Sequence, residues 1–225
     1  EMAKNYLLNS RRTISQLIDK GETTSIEEKE CLGDLNDPGN RFLDSFYFHQ
    51  TLRNFWLGYS ERSRHFAQKC FAQIQKGKYT THHVKFYYGL NTLDMLKKNM
   101  NASRRKEVEE IIAFMKIAAT HSDSNYKNKL ELLEAELHGL SARHREAVAL
   151  YDAAIASAKT AKFINEQGLA CEKAGFYYKG KLDARNAFVY FQQAHACYEE
   201  WGSRVKVEVI QRELDHFSSI DSNNT

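Results

Sequence analysis

Apolar side chains recur at helical spacing along most of the chain. Tyr126, Leu130, Leu133, Leu137 and Leu140 alternate at four and three residues, which predicts one clean helical stripe. Val108, Ile111, Ile112 and Met115 mark the helix before it, over 104–119, with Asn101 or Ser103 as its cap. Upstream, residues 2–18 read as a helix. The stretch 41–57 is aromatic almost all round, and 61–75 is its partner after Gly58. Phe86, Leu90, Leu93 and Met100 define a helix over 82–100 after a turn at Gly77-Lys78. Downstream, helices are expected over 144–158, 162–179 and 183–200, with Gly202 as a C-cap. In residues 203–217, VKVEV alternates as a strand would. Val207, Ile210, Leu214 and Phe217 nevertheless keep helical spacing, and the chain offers no other strand to pair with, so helix is expected.

Two of these helices share a pattern. Ala147, Tyr151 and Ala154 repeat as Ala187, Phe191 and Ala194, and 187 − 147 gives an offset of 40 residues. Positions four and three apart lie on one helical face. Each face therefore carries a ring flanked by two small residues that let a neighbouring helix approach. Ser63, Ala67 and Cys70 form a weaker third copy. Gly139 and Gly180 are read as ending the first helices of the two clearer pairs. The expected fold is all-α, a right-handed superhelical stack of antiparallel helix pairs in the manner of a tetratricopeptide-like α-solenoid. It covers residues 1–217, with a mobile acidic loop at about 19–37 and a disordered polar tail over 218–225.

Composition agrees with helices: one Pro and 11 Gly in 225 residues, with much Ala, Leu, Lys and Glu. A net charge of +3 does not by itself imply nucleic acid or membrane. The chain contains neither a transmembrane-length apolar run nor a signal-peptide pattern at its first residues. The four cysteines, Cys31, Cys70, Cys171 and Cys197, are widely spaced. They read as small buried hydrophobes in a reducing compartment, which points to the cytoplasm. The chain opens on Glu rather than Met, so a piece of a longer protein is expected.

Candidate chemistry is thin. His82 and His83 are adjacent and point apart on a helix, and H-E-x-x-H is absent. The phosphate-loop pattern is missing too. Paired carboxylates such as Glu109-Glu110 and Glu199-Glu200 read as solvated faces. No catalytic, cofactor or metal residue is assigned, and the chain itself is expected not to be an enzyme. Basic clusters at Arg11-Arg12, Arg62 with Arg64, Lys97-Lys98 and Arg104-Arg105-Lys106 raise RNA as a ligand. No polar pair recurs at the repeat period, so partners are expected to be protein, with neither nucleic acid nor membrane. The concave face, lined by the first helix of each pair, is the expected binding surface. Tyr126, Glu134, Lys173 and Tyr177 are its candidate contacts.

The segments KLELLEAELHG, EAVALYDAAIASAK, INEQGLACEKAGFYY, ARNAFVYFQQAHACYEEWG and KVEVIQRE, taken in order, carry a resemblance. Residues 126–207 resemble the helical-repeat region of very large multidomain signalling kinases, and HHVKFYYGLNTL resembles an aromatic helix upstream in that region. In that family a Ser/Thr-kinase-like domain and a P-loop ATPase precede the repeats, and sensor and histidine-kinase domains follow. The resemblance implies a non-catalytic scaffold between such modules. The acidic insertion at 21–37 departs from the pattern, and no catalytic motif of the family falls on this chain. The alternatives are a free-standing peptide-binding adaptor and an RNA-binding helical repeat.

Overall fold

The computed structural model describes residues 43–73 and 79–222. The expected helix over 2–18, the acidic loop at 19–37 and the Gly77-Lys78 turn lie outside the described residues. Among those described, all regular structure is α-helical: α1 (Leu43–Trp56), α2 (Ser60–Gln73), α3 (Tyr79–Lys98), α4 (Ala102–His121), α5 (Asp123–Leu140), α6 (His144–Thr160), α7 (Ile164–Gly180), α8 (Ala184–Trp201) and α9 (Arg204–Ser222). The chain divides into two compact units between Met95 and Leu96. The segment 204–217 is helical, and α9 continues to Ser222 instead of stopping at Phe217. Met100 is a second correction. It falls beyond the end of α3 and is 59% exposed, because Asn101 already caps α4 by accepting the Arg104 N–H at 3.0 Å.

In the first unit α1 packs on α2. Phe48, Leu52 and Trp56 are buried, and the Phe55 and Tyr87 rings lie 4.7 Å apart between α1 and α3. Ser63, Ala67 and Cys70 are all fully buried, so this weaker copy of the small-residue pattern is also a packing face. Ser63 donates to the Thr51 carbonyl and accepts from Asn91, both at 2.8 Å, so one small hydroxyl ties the three helices.

In the second unit each helix from α4 onward packs on the next. The joints follow a strict rhythm. Ala142, Lys162, Leu182 and Gly202 all have positive φ, and 162 − 142, 182 − 162 and 202 − 182 each give 20 residues. After α5, α6, α7 and α8 the same bond closes the turn. Arg143, Phe163, Asp183 and Ser203 donate backbone N–H groups to the carbonyls of His138, Ala158, Tyr178 and Tyr198, at 2.9–3.1 Å. This six-to-one bond with a left-handed residue before it is a Schellman closure. The 40-residue offset read from sequence is therefore two arms of 20. Gly180 lacks positive φ and ends α7 two residues before the left-handed position, and Gly139 lies inside α5. The left-handed sites go instead to Ala142 and Leu182, at a cost of roughly 1–2 kcal/mol each for a residue with a Cβ.

The pattern Ala-ring-Ala is the packing face of each second helix. Ala147, Tyr151 and Ala154 on α6, and Ala187, Phe191 and Ala194 on α8, are all at most 1% exposed. Two glycines of α7 make the closest approach possible. A Cβ on Gly175 would stand 2.7 Å from Phe191 Cδ1, and one on Gly168 would stand 2.9 Å from Tyr198 Cε1. The glycines leave room for flat rings that bury completely, worth about 1.5–3 kcal/mol for a side chain the size of Phe191.

Two outcomes follow in thermal or urea unfolding. Leu182→Gly, at a site 93% exposed, should stabilise the protein by about 0.5–1 kcal/mol by relieving left-handed strain, whereas Gly202→Leu should destabilise it. Gly175→Ala should cost about 1–3 kcal/mol by driving a methyl into the Phe191 ring. A neutral Gly175→Ala would contradict the close approach.

Candidate functional site

Within the second unit, lysine–glutamate bridges join α5, α7 and α9, and one more starts from Lys97. Lys97 in the last turn of α3 binds Glu136 of α5, and Lys129 of α5 binds Glu166 of α7 at 2.6 Å. Between α7 and α9, Lys206 reaches Glu172 at 2.6 Å, and Lys179 binds Glu213. Three of the four carboxylates are at least nine-tenths buried as side chains: Glu136, Glu166 and Glu172. A buried carboxylate needs more than one donor to offset its lost hydration, and each has one. Tyr151 donates to Glu136 at 2.5 Å, Asn128 donates to Glu166 at 2.5 Å, and Tyr198 donates to Glu172. Lys129 also sits 4.6 Å over the Phe163 ring and donates to the Asn125 carbonyl at 2.9 Å. Burial, then the neighbouring Glu172 charge, pushes the Tyr198 hydroxyl well above the usual tyrosine range. With partners already in place, these groups act as ties between pairs.

An open feature among the described residues is a groove between α4 and α5. It encloses about 360 Å³ and is lined by Glu109, Ile112, Lys116, Glu134, His138 and Arg143 among others. Its α4 wall uses positions 109, 112, 113 and 116, one face of that helix; its α5 wall uses 134, 137 and 138. Buried Ile112 and Leu137 make the floor apolar. Lys116 pairs with Glu134 at 2.8 Å across the groove, and Arg105 holds Glu109 at 3.1 Å along α4. Burial, reinforced by Arg143, keeps the His138 imidazole below its usual range and so neutral at pH 7. Ala113 is exposed and Ile117, 63% exposed, stands one turn beyond it on α4. Such a trough can take an apolar side chain of a partner segment and offer both signs of charge to its flanks.

The four residues expected on a concave face have different surroundings. Glu134 lines this groove. Tyr126 is buried in the first turn of α5, its hydroxyl raised by desolvation. Lys173 stands half-buried on α7. Tyr177 packs back onto the α5–α6 pair: its ring stacks on His144 at 5.8 Å, its hydroxyl meets His144 Nδ1 at 2.9 Å, and Gly139 leaves it space. A Cβ at Gly139 would stand 3.0 Å from the Tyr177 ring, which explains a glycine inside α5. Glu136, Glu166, Glu172, Lys129 and Lys206 were not singled out from sequence. Their visible sign is a charge set inside an apolar run, as in KVEVI around Lys206.

No family model, curated protein or solved structure matches this chain. Among the described residues no helix is long and apolar enough to cross a membrane.

Removing one partner of a buried pair strands the other charge. Lys206→Met should therefore cost about 3–5 kcal/mol, whereas Arg212→Met, from a 4.0 Å pair exposed on both sides, should stay within about 0.5 kcal/mol. Equal effects in denaturant titration would show that burial does not set the strength of these pairs.

Proposed function

We propose that this chain is a non-catalytic helical-repeat scaffold that mediates protein–protein or inter-domain contacts. The single observation carrying this reading is the 20-residue arm. Equal arms closed by the same turn and tied first helix to first helix make a modular stack, the architecture that presents extended surfaces for binding. On this reading, residues 96–222 coil as a right-handed tetratricopeptide-like superhelix, with α5, α7 and α9 on its inner face. The resemblance of residues 126–207 to the repeat region of multidomain signalling kinases supports placing the scaffold beside ATPase and kinase modules in the cytoplasm. The α4–α5 groove supplies a contact site of mixed charge with an apolar floor.

A photo-crosslinking amino acid at Ala113 tests the scaffold reading in the cell. It should capture a protein, or another segment of the same polypeptide, and Lys116→Glu should reduce the yield several-fold. Equal crosslinking from an exposed control position such as Arg212 would overturn the groove as the contact site. Calorimetry with ATP should give no binding by the purified chain; micromolar affinity would contradict the non-catalytic reading.

A further inference from the structure

Cys171 on α7 and Cys197 on α8 are both buried free thiols. Gly175 faces Phe191 and Gly168 faces Tyr198, so these two helices run antiparallel in very close contact. Cys171 lies between the two glycines, opposite the α8 turn that carries Ala194 and Cys197. Two atoms locate it further. Cys171 Sγ is 3.8 Å from Gln193 Oε1, one turn before Cys197 on the same helix. Cys197 Cβ lies 3.1 Å from where a Gly168 Cβ would stand. Both thiols therefore lie in the α7–α8 contact, one helical turn apart along α8. Nothing in the scaffold reading uses this pair.

We propose that Cys171 and Cys197 are a modification site, closing reversibly to an intramolecular disulfide when a hydroperoxide oxidises the protein. The geometric requirement is a close pair of backbones, which the glycine contacts of α7 and α8 provide. Cys197, 6% exposed against 0% for Cys171, is the sulfur that meets the oxidant. Its thiolate attacks one peroxide oxygen, the O–O bond breaks, and Cys197 becomes a sulfenic acid with release of hydroxide. Cys171 then attacks the sulfenic sulfur, the S–O bond breaks, and the Cys171 proton leaves with the hydroxyl as water. Both thiols are oxidised and one hydroperoxide is reduced. The contact between the thiols lowers the Cys197 pKa, and it raises that of Cys171, whose burial adds to the rise. That ordering suits an attacking and a resolving thiol.

The test uses the full chain carrying Cys31→Ser and Cys70→Ser, treated with hydrogen peroxide while folded. The expected product has lost two hydrogens, yields a linked peptide pair containing Cys171 and Cys197, and reverts with dithiothreitol. Its melting temperature should rise by roughly 5–10 °C. Neither change should occur with Cys171→Ser or Cys197→Ser, and Cys197→Ala keeps the test valid where a buried serine unfolds the hairpin. Recovery of both thiols unlinked, dimers linked between chains, or a sulfinic acid at Cys197 with Cys171 still free would each overturn the proposal.

Discussion

The distance between α7 and α8 constrains everything packed around them. It is set by two places where a methyl group does not fit, Gly175 under Phe191 and Gly168 under Tyr198. Because the helices approach so closely, the ring of Phe191 is fully buried with Ala187 and Ala194 beside it. The same approach brings the Tyr198 hydroxyl to Glu172, and Glu172 in turn receives Lys206 from α9. A steric vacancy of one carbon thus positions a buried charge, and the charge positions the next helix.

The ties between first helices are chemically alike but not periodic. Lys97–Glu136, Lys129–Glu166 and Lys206–Glu172 are separated by 39, 37 and 34 residues, while the turns keep to 20. Backbone closure repeats because it depends on dihedral angles alone. The bridges drift because each depends on which long side chain can reach across one interface. A buried ion pair contributes little net stability against an apolar pair of similar volume. It does penalise every misregistered stacking, because a shift of one turn would leave a carboxylate dry and alone. Between faces built largely of alanine and leucine, that penalty specifies register.

Stripes of large and small apolar residues were legible because burial imposes their period directly. Ala147, Tyr151, Ala154 and their copies on α8 were placed on packing faces from spacing alone, and so was the Val108–Met115 stripe of α4. The turn positions were not. Ala142 and Leu182 occupy left-handed sites with side chains that do not announce them, whereas Gly139 and Gly180 mark where the first helices end, at Leu140 and Gly180. The buried pairs escaped for another reason: a lysine and a glutamate more than 30 residues apart carry no local signal of each other. Tyr177, expected on the concave face as a first-helix residue, also packs against neighbouring helices. Its partners, His144 and Gly139, are on the preceding pair.

A double-mutant cycle on Lys129 and Glu166 addresses the central claim most directly, that first helices are held to one another by specific buried bridges. Their side chains are 1% and 6% exposed, so neither replacement is screened by water. With Lys129→Met, Glu166→Gln and the double variant measured by urea unfolding, the account predicts a coupling energy above about 2 kcal/mol. The double variant should be more stable than Lys129→Met alone. Additive effects, within about 0.5 kcal/mol, would contradict it.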